Sequence, residues 1–175
     1  MNTFATLAAA AIVAGGFLAS TAPALARDPG GSNATSCPRG QVYDQRRLRC
    51  VDAQSGIVDD QSLVAYAGAL ARTGRYDEAL ATLDLMQNPN TAEALNYRGY
   101  ATRKLGRVDE GIAFYKQAVA LDPDYTLVRE YLGEAYVVQG KLDLAKQQLA
   151  EIEKRCGTTC EAYEDLSEAI EAAEG

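Results

Sequence analysis

No histidine and no tryptophan occur anywhere in the 175 residues. The first absence removes Ser-His-Asp and Cys-His catalysis, His-ligated metals and the CxxCH haem attachment. Positive charge is also short: 17 Lys and Arg face 24 Asp and Glu, and a net charge of −7 repels phosphate backbones and anionic lipid alike. Nucleic acid is therefore not an expected partner. Beyond residue 26 no apolar run is long enough to span a bilayer, so no membrane insertion of the mature chain is expected. Acidic pairs such as Asp59-Asp60 and Asp77-Glu78 are present, but no nucleophile has a base beside it. Such pairs read as charges at helix starts, and the chain reads as a non-enzyme with no cofactor and no bound metal.

What the sequence does have begins with residues 1–26, which carry no charged side chain and run from Phe4 through Ile12-Val13 to Phe17-Leu18. Ser20-Thr21, Pro23 and the A-x-A pattern Ala24-Leu25-Ala26 follow, just before Arg27-Asp28. This is the layout of a cleaved signal peptide, and an exported chain, periplasmic or secreted, is expected. Residues 27–36 are polar and unpatterned, with Pro29-Gly30-Gly31-Ser32 among them, and read as a flexible linker. Four cysteines remain, Cys37, Cys50, Cys156 and Cys160, an even number in an exported chain, which implies two disulfides with three possible connectivities. Proximity favours Cys37 with Cys50 and Cys156 with Cys160.

Around the first pair, Gln41-Val42-Tyr43 and Leu48-Arg49-Cys50-Val51 flank a polar turn, which predicts a small Cys-bounded hairpin over residues 37–52. The C-P-x-G-x-V-Y-D…C-V pattern resembles part of the chitin-binding modules of the peritrophin type. That resemblance implies a second possible function, a cell-wall or glycan-binding accessory protein acting through the Cys37–Cys50 hairpin. Between Cys156 and Cys160, Gly157 is expected to end one helix and Thr158, three residues before Glu161, to cap the next.

From about residue 59 the chain repeats. Gly74-Arg-Tyr-Asp-Glu-Ala79, Gly106-Arg-Val-Asp-Glu-Gly111 and Gly140-Lys-Leu-Asp-Leu-Ala145 align, with the glycines 32 and then 34 residues apart. Each glycine lies between two runs of helical apolar spacing and can end the first in a left-handed conformation. Asp77, Asp109 and Asp143 then set negative charge at the positive start of a second helix. Helices are expected over 60–73, 76–86, 91–104, 108–120, 125–139 and 142–155. A seventh, over 160–173, would have Ala162, Leu166, Ala169, Ile170 and Ala173 on its apolar face and its acidic face in solvent.

This grammar resembles the tetratricopeptide repeat. The middle unit carries Leu95, Gly99, Gly106, Gly111, Tyr115, Ala118 and Pro123 at the packing positions of that family, while Arg98 and Arg129 stand where a large apolar residue is common. The resemblance implies an all-α, right-handed α-solenoid of three helix pairs with a C-terminal capping helix over residues 59–175. It also implies a concave groove lined by the first helix of each pair, with exposed positions at Gln61, Val64, Gly68 and Arg72, then Asn96, Tyr100, Arg103 and Lys104, then Glu130, Glu134 and Val138. The lysine, asparagine and arginine clamp of chaperone-binding members is missing, the matching positions holding Val64, Gly68, Tyr97, Leu127 and Tyr131. The expected partner is another protein, an extended peptide or a helix, contacted by Arg72, Asn96, Tyr100, Arg103, Lys104, Glu130 and Glu134.

Overall fold

The computed structural model describes residues 37–175; the expected signal peptide (1–26) and linker (27–36) lie outside the described residues. The described chain opens with strands β1 (Gln41–Asp44) and β2 (Arg49–Asp52), paired antiparallel with Val42 opposite Val51 and Tyr43 opposite Cys50. The Cys37–Cys50 disulfide closes this hairpin. Asp44 holds its turn: the carboxylate accepts from the Arg46 and Arg47 amides at 2.9 and 3.0 Å and from the Arg47 guanidinium at 2.5 Å. The hydrogen bonds from Arg47 hold the Asp44 carboxyl below its ordinary range.

Seven helices follow: α1 (Asp60–Arg72), α2 (Tyr76–Leu83), α3 (Ala92–Lys104), α4 (Val108–Leu121), α5 (Thr126–Val138), α6 (Leu142–Cys156) and α7 (Glu161–Glu174). They form a right-handed α-solenoid of three helix pairs, α1/α2, α3/α4 and α5/α6, completed by α7. The three turns inside the pairs are built alike. Gly74, Gly106 and Gly140 have φ of +79°, +87° and +70°, a region that a β-carbon disfavours. In each case the glycine amide and the next amide turn back onto the preceding helix. Gly74 donates to Ala71 O and Arg75 to Leu70 O, Gly106 to Arg103 O and Arg107 to Thr102 O, Gly140 to Val137 O and Lys141 to Tyr136 O. This double closure satisfies carbonyls that a helix end otherwise leaves open. Asp77, Asp109 and Asp143 lie in the first turns of α2, α4 and α6.

Small residues set the closeness of the pairs. A Cβ on Gly99 would lie 2.7 Å from the Tyr115 ring and 3.1 Å from the Gly111 carbonyl oxygen, so α3 and α4 touch backbone to backbone. The two arginines at usually apolar positions are accommodated by polar partners. Arg98 reaches Asp84 at 2.8 Å, and Arg129 donates to Pro123 O at 2.9 Å and to Gln148 at 3.2 Å.

Two features differ from the reading of the sequence. The hairpin is not set apart from the array: Cys37, Val42, Tyr43 and Val51 share one apolar core with Leu63, Tyr66, Leu70 and Leu83 of α1 and α2. It therefore covers the open apolar end of the first pair, as α7 covers the last. Thr158 does not cap α7; Cys160 holds that position and makes no side-chain cap, because the Cys156–Cys160 disulfide fixes the chain across the turn. No described helix is long and apolar enough to cross a membrane.

Candidate functional site

The helices α1, α3, α5 and α7 stand side by side, with α2, α4 and α6 packed behind them. Their row carries the residues expected to face a groove. A contact between neighbouring units begins at Gly68, where a Cβ would lie 2.5 Å from the Tyr97 ring. The missing side chain lets Tyr97 of α3 lie across α1, where Arg72 donates to its hydroxyl at 3.2 Å. Tyr100 is the centre of an aromatic strip, 6.3 Å from Tyr76 and 5.0 Å from Tyr131 between ring centroids. Lys104 lies 5.3 Å and Arg103 5.7 Å from its ring centre, within range of a cation–π attraction. Tyr100 is half-buried and packs on both apolar cores, so it joins the first repeat to the rest of the array. Burial pushes its hydroxyl above the ordinary tyrosine range.

Several of the expected groove positions are not exposed. Asn96 is 0% exposed, Arg103 8% and Glu130 4%, and Val64 and Gly68 are buried as well. The reason is that each of these helices has neighbours beside it in addition to its partner behind: α3 and α5 lie between first helices or α7, and α1 packs on α3 and on the hairpin. Asn96 lies beside Tyr125 at the start of α5, yet neither its amide nitrogen nor its amide oxygen has a hydrogen bond of normal geometry. Arg103 is held internally, donating to Glu134 at 2.5 Å and to the Tyr115 hydroxyl at 3.4 Å. It is thus a bolt between the second and third units, not a free charge for steering a partner. Arg72 and Lys104 remain exposed, and Tyr97, Tyr100, Tyr131 and Glu134 are half-buried along the same row.

The acidic end of the row is tighter than its sequence suggests. Glu130 is enclosed between α5 and α7, and burial, with Glu134, Asp165 and Glu161 around it, pushes its carboxyl up to about 8. Glu161 and Asp165 belong to the face of α7 expected to serve solvation alone. Sequence reasoning missed their proximity to Glu130, since nothing within one helix reports which groups a neighbouring repeat brings near. It also missed Glu134 as the partner of Arg103, although opposite charges on first helices of successive units are a usable signal. Among the described residues there is no group of three or more acidic or cysteine side chains placed to hold a metal ion.

Tyr43, the one aromatic of the hairpin, is 9% exposed and packed into the first core, so no aromatic platform faces outward there for stacking on a sugar ring.

Residues 103–170 match the tetratricopeptide repeat family. No curated protein matches the chain. Among solved structures the chain is similar to the type III secretion translocator chaperone SycD of Yersinia enterocolitica, in an alternative dimer form. The identity is 18% and the TM-score 0.55, over 65% of this chain and 90% of that one. A second structure of SycD, in complex with a peptide of the translocator YopD, gives 18% identity and a TM-score of 0.54 over 65% and 91%. The three repeated glycine turns, the paired helices and the family match agree: residues 103–170 are tetratricopeptide repeat sequence, and the helix pair before them is built on the same turn.

Proposed function

We propose that this chain is an exported, non-enzymatic binding module that holds a segment of another envelope protein, an extended peptide or a helix, along the row α1, α3, α5 and α7. The observation that carries the reading is the half-buried strip of Tyr97, Tyr100 and Tyr131 with Arg72 and Lys104 exposed at its side. Tyrosines supply contact area at low conformational cost, and a mixed apolar and charged strip on a repeat array suits a polypeptide better than a small solute. The solved SycD complex, in which a protein of the same fold is bound to a peptide, supports this use of the fold. Two disulfides in a chain with a signal-like start support export to an oxidising compartment.

A photo-crosslinking side chain placed at Lys104, on the row, should capture a protein partner in the native compartment. The same group at Gln117, exposed on the back helix α4, should not. Capture from Gln117 alone would reject the reading. The glycan-binding alternative would require retention on insoluble cell-wall polysaccharide, which the buried Tyr43 disfavours.

A further inference from the structure

A cavity of about 320 Å³ lies at the α5–α7 end of the row, lined by Leu127 and Glu130 of α5, the Cys156–Cys160 pair, and Glu161 and Ala162 of α7. Next to it α5 and α7 approach closely: a methyl at Gly133 would overlap Leu166. That approach sets carboxylates from two elements around one space. Glu130, 4% exposed, forms a wall of the cavity and has no hydrogen bond or ion pair among the described residues. The charged neighbours that act on it are Glu134, Asp165 and Glu161, which repel it, and Arg103, which attracts it. Arg103 is already committed to Glu134. A carboxylate that is enclosed, unpartnered and next to open volume is a group without its counterpart.

We infer that this cavity is a specificity pocket for the guanidinium of an arginine carried by the bound segment, Glu130 accepting from within and Glu161 from the exposed rim. The inference rests on the groove reading for its occupant. Arginine fits better than lysine because its planar fork can donate to carboxylates on two walls at once and is only weakly hydrated. Leu127, Ala162 and the disulfide sulfurs give the stem and the faces of the plane an apolar surround. A metal ion is a poorer occupant, since no group of three or more ligating side chains is assembled among the described residues. Entry of the cation ionises Glu130, so near neutral pH binding releases a proton from Glu130 to the buffer.

The probe is N-acetyl-arginine amide, titrated into the full disulfide-bonded protein and followed by amide NMR. Saturable shifts are expected at Leu127, Glu130, Glu161 and Ala162. N-acetyl-citrulline amide, of the same shape without charge, should leave them unmoved. Glu130→Gln should weaken binding at least about fivefold and abolish the proton release measured by calorimetry in buffers of different ionisation enthalpy. Glu161→Gln, at an exposed rim position in the first turn of α7, should weaken binding and reduce the proton release without abolishing it. Equal shifts from citrulline, equal binding of N-acetyl-lysine amide, or a response that survives Glu130→Gln would each overturn the assignment. Capture at Lys104 with no arginine response would reject the pocket and leave the groove reading standing. An arginine response without capture at Lys104 would do the reverse.

Discussion

Glu130→Gln should make the protein more stable, and the gain should depend on pH in a defined way. Glutamine keeps the shape of the protonated acid but cannot ionise. In the folded chain the Glu130 carboxyl is raised from an ordinary 4.5 to about 8 by burial and by Glu134, Asp165 and Glu161. For an acid raised in this direction the sign is unfavourable to folding. Below pH 4.5 the group is protonated in both states and contributes nothing. As pH rises from 4.5 to 8 the unfolded chain loses its proton while the folded chain keeps it, and stability falls. Above 8 both forms are ionised and the loss levels off. At about 1.36 kcal/mol per pH unit, the ceiling near pH 8 is roughly 4 kcal/mol, and side-chain relaxation toward the cavity reduces the expected gain to about 2 kcal/mol. Urea unfolding of both proteins followed by circular dichroism at pH 4.5 and pH 8 reads the difference. The neighbouring acids and Arg103 are present in both proteins, so their own titrations cancel to first order. Equal stability changes at the two pH values, or a less stable variant at pH 8, would refute the reasoning.

Three other outcomes follow from the packing. Gly99→Ala should destabilise by about 1–3 kcal/mol in urea unfolding, because the added methyl meets the Tyr115 ring and the Gly111 carbonyl with no free volume to move into. Replacing Cys37 and Cys50 together by serine should lower stability by about 3 kcal/mol in thermal or urea melts, the loop they close being 13 residues in separation. The loss should extend to α1 in hydrogen exchange, since Cys37 and Val42 share its core; protection of α1 unchanged would mean that the hairpin is merely attached. Arg103→Ala should destabilise by about 2 kcal/mol, less than for a fully buried pair because Glu134 is partly exposed, and Arg103→Lys should recover little, having no planar fork to reach Tyr115 and Glu134 together.

The architecture was legible because its punctuation is chemical. A glycine at the end of each first helix and an aspartate three residues later recur at Gly74 and Asp77, Gly106 and Asp109, and Gly140 and Asp143, and both residue types act locally. A left-handed turn needs the glycine wherever the rest of the chain goes, and a helix start favours the carboxylate. Cysteine proximity likewise matched both disulfides. The hairpin strands were legible too, but not their docking. The burial of Val42 and Tyr43 against α1 depends on an apolar end of the first pair that becomes visible only once Leu63, Tyr66 and Leu70 are placed in space.

The row α1, α3, α5 and α7 was harder to read, and α5 explains why. A helix on the surface of a globule buries one stripe, so a wheel drawn from its sequence separates a wet face from a dry one. An interior first helix of a solenoid has its pair partner behind and a first helix on each flank, and α5 accordingly buries Val128, Arg129, Glu130, Leu132, Gly133, Ala135 and Tyr136. Two charged residues, Arg129 and Glu130, are therefore buried on one helix. Arg129 finds Pro123 O and Gln148, whereas Glu130 finds no partner. The same burial on the same helix thus yields a structural arginine and an unpaired acid, and the difference lies in the flanking element each one meets. Arg129 meets polar acceptors from α6 and the preceding loop; Glu130 meets the acidic face of α7 across an open cavity. A fold that removes a carboxylate from water among other carboxylates loses stability by doing so, and that loss is recovered when a cation arrives from outside the chain.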